Sequence, residues 1–296
     1  MRDLPPPRIP DAVPMPGGDS RDWVQHPGPR LEPRVTALPC RVSKVALDLP
    51  AGVTLLDALS RAVEEAGADG ASVVLDGLTL SQADWVMPDG PADDSHAAWY
   101  SETHVSQGIR LDRATASVGC KDGAWFLHTH ALWSEGETPR MGHLLNDRCL
   151  IGAAHRVEAH LIHGARLEVA PDAETGFPLF APHALTPVEA ANAALITIRP
   201  HEDLHAALSE VCRTAGLARA EVIGLGSLIG AGFDDTAPMT SPLSEVLLLP
   251  GCRVEADGTA HLPLACVDPW GVIHRGQLKA GQGPVLVTFE VLAVAL

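Results

Sequence analysis

Thr54–Gly67 reads TLLDALSRAVEEAG, and Asp203–Gly216 reads DLHAALSEVCRTAG, at a constant offset of 149 residues (Thr54 against Asp203). In the first stretch Leu55, Leu59, Ala62, Val63 and Ala66 recur at helical spacing; in the second Leu204, Leu208, Val211, Cys212 and Ala215 do so. Each opens on a residue whose side-chain oxygen caps a first turn, Thr54 or Asp203. Each closes on a glycine, Gly67 or Gly216, which tolerates the left-handed conformation that ends a helix. Two amphipathic helices are predicted, and their fixed offset marks an internal repeat.

Short apolar runs follow both helices. After the second come AEVIGLGSLIGAGF, SEVLLLPGCRV and, behind Asp257-Gly258, HLPLACV; in the first half Asp122-Gly123 precedes AWFLHTHALW. An Asp-Gly pair between apolar alternating runs signals a hairpin, because both residues tolerate positive φ. One helix among many short strands, done twice, predicts an α+β fold of two tandem domains, each a mainly antiparallel sheet with a flanking helix. Residues 1–34 are expected to form a Pro-rich arm, draped over a neighbour or without fixed structure. Residues 35–185 would then be the first domain and 186–296 the second, with the junction in APHALTPVEAANA, Ala181–Ala193.

The bulk composition narrows the function classes. The chain has 296 residues, 46% apolar and 20% charged, with a formal net charge of −16. So acidic a surface repels phosphate backbones, and no run of Lys or Arg provides a local exception. The start, MRDLPPPRIPDAVPMPGG, has no apolar segment of signal-peptide length, and no later run approaches a membrane span. The six cysteines contain no Cys-x-x-Cys pair and are read as reduced, mostly buried thiols of a cytoplasmic protein.

The stretch that carries chemistry is DGAWFLHTHALWSEGETPRMGHLL, Asp122–Leu145. His128 and His130 are two apart, so on a strand they share a face with Phe126 and Leu132, while Trp125, Leu127, Ala131 and Trp133 occupy the other. Both faces are largely apolar, which predicts a strand covered on both sides, by a subunit contact on one of them. His143 follows a polar turn and Gly142, a residue that permits close backbone approach. Imidazoles on an apolar face are costly unless paired or ligating. Three of them converging from a hairpin suit a divalent metal, zinc foremost, with an open fourth position for hydrolytic or Lewis-acid chemistry. The competing reading is of core histidines that only hydrogen-bond. His155, His160 and His163 are read as surface or strand residues.

The same stretch resembles the segment of the PPC domain, the domain conserved between plants and prokaryotes, that runs Asp-Gly, four residues, His-x-His, a turn and Gly-His-Leu. RVEAHLIHGARLEVAPDAETGFPLF, Arg156–Phe180, is similar to that family's closing strands. AEVIGLGSLIGAGF and SEVLLLPGCRVEADG are similar to its middle strands, so the resemblance spans most of residues 45–296 as two copies. It implies an α+β domain that packs as a trimer, with a metal site near the subunit contacts held here by His128, His130 and His143. The DNA-binding label of bacterial members goes with hooks that plant relatives carry outside the domain, and this chain has no such hook.

Two departures from the family pattern shape the expectation. Aligning the Asp-Gly turns puts Pro263 and Ala265 where His128 and His130 stand, and Gln277 where His143 stands. The second copy is therefore expected to have lost the site and to serve packing. In the first copy GLTLSQADWVMPDGPADDSHAAWYSETHV, residues 77–105, replaces the glycine-rich strand and is expected to form a wall or lid over the metal. The whole reading is of a cytoplasmic, metal-binding PPC-like homo-oligomer, a trimer, with a small-molecule ligand and no nucleic-acid or membrane partner. As an enzyme it would be a metal-assisted hydrolase or lyase, with Glu102 or Glu158 as general base and Tyr100 acting on the bound molecule. The alternatives are a structural assembly protein without metal and a DNA-binding regulator.

Overall fold

A computed structural model describes residues 19–296. The strand β1 (Val35–Leu49) leads to the helix α1 (Leu55–Glu65). There follow β2 (Gly70–Val74), β3 (Thr79–Val86), a small ribbon of β4 (Pro88–Gly90) and β5 (Trp99–Tyr100), and β6 (His104–Lys121). Next come β7 (Ala124–Glu135), β8 (Thr138–Leu144), β9 (Leu150–Ile151), β10 (His155–His163), β11 (Ala165–Pro171) and β12 (Pro178–Ala184). The second half runs through β13 (Ala193–Ile198), the helix α2 (Leu204–Thr214), β14 (Ala220–Leu228) and β15 (Glu245–Leu248). It ends with β16 (Arg253–Val254), β17 (Ala260–His261), β18 (Pro263–Val267), β19 (Ile273–Gln277) and β20 (Val285–Ala295).

Both predicted helices form where their caps place them. Thr54 Oγ1 accepts from the Asp57 N–H and Asp203 Oδ1 from the Ala206 N–H, each at 3.0 Å. Gly67 and Gly216 follow the helices with φ of 66° and 68°, a conformation that a Cβ would strain. Each helix buries its leucine face: Leu55, Leu59 and Val63 in one core, Leu204, Leu208 and Val211 in another. The first core also takes Trp85, Leu111 and Trp133; the second takes Leu228, Leu264 and Phe289.

The strands pair antiparallel apart from one parallel bridge, Glu168 with Cys120, so the fold is α+β with a mainly antiparallel sheet. Asp122 and Gly123 turn β6 into β7 with φ of 51° and 79°, the doubly positive turn that Asp-Gly favours. The second Asp-Gly lies between β16 and β17, joined by Val254 and Ala260. The strand β1 does double duty. Its Arg41–Leu49 segment pairs with β10, and its Val35–Cys40 segment pairs with β13, which pairs in turn with β20.

One expectation needs correction. The outer face of β7 meets the second half of the same chain: Leu132 and Met141 pack on Leu225, Leu247, Ala265 and Val267. No second subunit is required to cover it. The described part of the arm likewise lies on its own chain. Arg21 Nε donates to the His201 carbonyl at 2.9 Å, and Arg34 Nη1 meets Glu174 Oε2 at 2.7 Å. The arm's residues 1–18 lie outside the described residues. All six cysteines are buried and free. Among the described residues no helix is long and apolar enough to cross a membrane.

Candidate metal centre

The β6–β7–β8 register brings the histidines together. His128 stands opposite Ser117 and His130 opposite Thr115, while His143 is the direct cross-strand partner of His130. Gly142 lets β8 approach β3 closely, since a Cβ there would lie 2.6 Å from the Val86 carbonyl oxygen and 2.8 Å from the Trp85 ring. The hairpin faces β15 of the second half, whose first residue is Glu245. One ligand atom from each of His128, His130, His143 and Glu245 lies within 4.8 Å of the others, and the four could hold a metal ion.

The outer nitrogens of these rings are engaged, which turns the others inward. His128 Nδ1 lies 2.7 Å from Glu290 Oε1, and His130 Nδ1 lies 2.8 Å from the Val246 carbonyl. That leaves His128 Nε2 and His130 Nε2 facing each other at 3.0 Å, with Glu245 Oε2 2.5 Å from the latter. His143 Nδ1 sits 3.4 Å from the Tyr100 hydroxyl. An imidazole held from behind by a carboxylate or carbonyl is the usual support of a metal-binding histidine, fixing its tautomer and its direction.

Two of the three imidazoles are held neutral. Burial, aided by His130, pushes His128 down to about 3, and burial with both neighbouring imidazoles drives His143 well below the ordinary histidine value. Both rings are therefore neutral donors at neutral pH. His130 moves the other way: burial opposes its charge, but the Glu245 carboxylate outweighs burial and raises it. For Glu245 burial works against the charged form, yet His130 overcomes it and the carboxyl is held below its usual range. Burial pushes Glu290 up to about 8. Three imidazoles and one carboxylate form a nitrogen-rich donor set that could hold a metal ion.

Glu245 changes the sequence reading in two ways. A protein carboxylate stands beside the three imidazoles as a fourth possible donor, so the cluster is not made of histidine alone. The second half, expected to have lost the site, supplies both Glu245 and the Glu290 that backs His128. A carboxylate inside SEVLLLP or VLVTFEVLAVAL is as costly as a histidine on an apolar strand, and that cost was the available signal.

A cavity of about 220 Å³ adjoins the centre. Trp99, Tyr100, Phe126, Phe177, Phe180 and Leu286 wall it, while His128, His143, Glu245 and Glu290 line it from the centre. Residues 77–105 enter this wall only through Pro88, Ala98, Trp99 and Tyr100; their first part is the ordinary strand β3, paired with β6. The wall is tied down where the Ala97 N–H donates to the Thr175 carbonyl at 2.8 Å. Tyr100 is thus beside the centre, its phenol pushed well above its ordinary value by burial and by Glu245.

The structure does not bring the other two expected acid–base residues to the cavity. Glu158, on β10, pairs with Lys44 at 2.7 Å and lines a different cleft. Glu102 is not among the lining residues. Asp84 accepts from Gln82, and His104 stacks on Trp85, with ring centroids 4.5 Å apart.

No protein-family model and no curated protein matches the chain. Solved structures do, each over about half of it. A plant- and prokaryote-conserved (PPC) protein from Pyrococcus horikoshii is 19% identical, with a TM-score of 0.39, over 49% of this chain and 96% of its own. A metal-containing protein from Archaeoglobus fulgidus is 20% identical, with a TM-score of 0.39, over 49% of this chain and 98% of its own. A Ralstonia eutropha protein provisionally named as DNA-binding is 20% identical, with a TM-score of 0.38, over 48% and 95%.

Proposed function

We propose that this chain is a metal-binding protein in which His128, His130, His143 and Glu245 hold one divalent cation, zinc foremost, beside a small-molecule cavity. The observation that carries the reading is the convergence of four donors within 4.8 Å, three of them from one hairpin and one from the other half. The proposal includes a division into two tandem PPC-like units, residues 35–185 and 186–296, that build the centre between them. A homo-oligomer, the trimer of the sequence resemblance, belongs to the same proposal, and light scattering giving the mass of three chains would support it.

Each residue has a distinct part. His128 and His143 offer neutral nitrogens, Glu245 offsets cation charge, and Glu290 and the Val246 carbonyl aim the rings. The cation would supply Lewis-acid polarisation of a ligand oxygen, the chemistry of a metal-assisted hydrolase or lyase. Tyr100, 3.4 Å from His143 Nδ1, is the proton-bearing group best placed to hydrogen-bond a molecule in the cavity. A DNA-binding role gains nothing from the net charge of −16.

Metal analysis of the purified protein tests the reading against the paired variant His128→Ala, His130→Ala. About one equivalent of metal per chain, lost in the variant, is the expected result. No metal in either protein, with the same melting temperature, would reduce the histidines to hydrogen-bonded core residues.

A further inference from the structure

The cavity beside the centre is sharply divided in polarity. Phe126, Phe177 and Phe180 supply aromatic surface, with Trp99, Leu179 and Leu286 completing the apolar part. The hydroxyls among its lining residues are largely spent on the protein itself. Ser244 Oγ donates to the Leu228 carbonyl at 2.9 Å, and Ser227 Oγ accepts from the Val287 N–H at 3.0 Å. Unspent polarity gathers at one end, where Glu290 Oε2 is buried without a hydrogen bond of good geometry, although the Ser117 hydroxyl lies near the carboxyl. The carboxyl is 2% exposed, and its other oxygen is engaged by His128. A buried carboxyl oxygen left without a partner carries a desolvation cost, and a ligand's hydrogen-bond donor would recover it.

Charge narrows the ligand further. Among the described residues no Lys or Arg lines the cavity, whereas two carboxyl groups, Glu245 and Glu290, do. A phosphorylated or dicarboxylate molecule would meet no cationic side chain there to offset its desolvation. Volume sets the size. A dry apolar cavity of about 150 Å³ suffices for benzene, so about 220 Å³ takes one ring and a short polar substituent.

We infer that the cavity binds a single-ring aromatic compound whose one head group carries a carbonyl together with an N–H or O–H, ring against Phe126, Phe177 and Phe180, the donor toward Glu290 Oε2 and the carbonyl toward the histidine–glutamate centre. This deepens the metal-site reading and rests on it for the head group alone. The apolar end recognises the ring by itself, through burial and edge-to-face aromatic contact.

The test uses the full chain loaded with zinc, its metal content measured in the same sample, and titrates benzohydroxamate against acetohydroxamate. The two probes share one metal-binding head and differ by a phenyl ring in place of a methyl. Burying on the order of 100 Å² more apolar surface corresponds to roughly 50-fold in affinity, so a preference of at least about tenfold is expected. Phe177→Trp, which fills the cavity from its wall, should keep one equivalent of zinc and lose the preference; Leu286→Phe serves where that variant fails to fold. Equal affinities for the two hydroxamates, or tighter binding of inorganic phosphate, would overturn the inference with the metal site intact. Should zinc not bind, benzamide and acetamide are compared on the metal-free chain by thermal shift. A rise with benzamide alone upholds the ring site while the metal reading fails, and no rise with either sinks both.

Discussion

Glu245→Gln separates a site built by both halves from one that belongs to the histidine hairpin. The substitution keeps size and shape at a residue only 6% exposed, so packing is preserved and a single negative charge is removed. The carboxylate stands within 4.8 Å of all three imidazole donors, hence next to any ion they share. At about 4 Å and an effective dielectric near 20, unit charges attract by about 4 kcal/mol, which makes about 8 kcal/mol for a divalent ion. Dehydrating the ion offsets the larger part of that. If only a third survives, affinity falls by about 2.7 kcal/mol, or roughly 100-fold. At a zinc concentration of about 100 times the wild-type Kd, the wild type gains about 2.7 kcal/mol of stability and the variant about 0.4 kcal/mol. With about 2 °C per kcal/mol for a chain of this size, zinc should raise the wild-type Tm by about 5 °C and the variant's by about 1 °C. Differential scanning calorimetry with and without zinc reads this directly, and a chromophoric chelator gives the Kd values. Glu158→Gln, remote from the cavity and paired with Lys44, is the control and should behave as wild type. A Glu245→Gln protein with wild-type zinc affinity would refute the claim that the second half donates a ligand.

Other expectations concern the scaffold. Gly142→Ala would drive a methyl into the Val86 carbonyl at 2.6 Å, and the resulting displacement of β8 should destabilise the fold by about 2 kcal/mol in urea titrations and weaken zinc binding through His143. Arg34→Met leaves Glu174 without its 2.7 Å partner in a buried setting, and a loss of about 3 kcal/mol is expected, read as a Tm drop of about 6 °C. A drop under about 1 °C would show that Arg199 alone suffices for Glu174. Stability should also fall with acid through the same cluster. Burial would raise Asp172 and Glu174, but hydrogen bonds from Arg199 to the first and from Arg34 to the second outweigh it and hold both carboxyls below their ordinary values. Such a depressed folded-state value adds stability that is present above the unfolded carboxylate range and disappears as the pH drops through the folded one. Urea midpoints of the wild type and an Asp172→Asn, Glu174→Gln variant should therefore differ at pH 7 and converge in strong acid; a constant gap would count against the linkage.

What the sequence made legible was local. The helix caps at Thr54 and Asp203, the Asp122-Gly123 turn and the shared face of His128 and His130 all depend on residues within a few positions of one another. Gly142 was readable for the same reason, because close approach at one position is a property of that position. Glu245 and Glu290 were not found, although each interrupts an apolar run. Their value depends on strands more than a hundred residues away, and the chain carries no local mark of which buried carboxylate meets which histidine. Glu102 and Glu158 drew attention through proximity in sequence to Tyr100 and to the closing strands. Proximity along the chain does not fix the side of the sheet on which a residue ends up, and Glu158 faces Lys44.

The divided pairing of β1 has a consequence during synthesis. Val35–Cys40 leaves the ribosome about 150 residues ahead of Ala193–Ile198, the strand it pairs with. At a translation rate of about 5–20 residues per second, those six residues wait roughly 8–30 s with one edge unmatched. An apolar edge held open that long invites pairing with another nascent chain. Pro39, lacking an N–H, and the charged Arg41 just beyond limit how well such a stranger can register. When β13 and then β20 arrive, β1 becomes the splint on which the second half is laid down, so the candidate metal centre, which needs Glu245 and Glu290, is the last part of the molecule to be born.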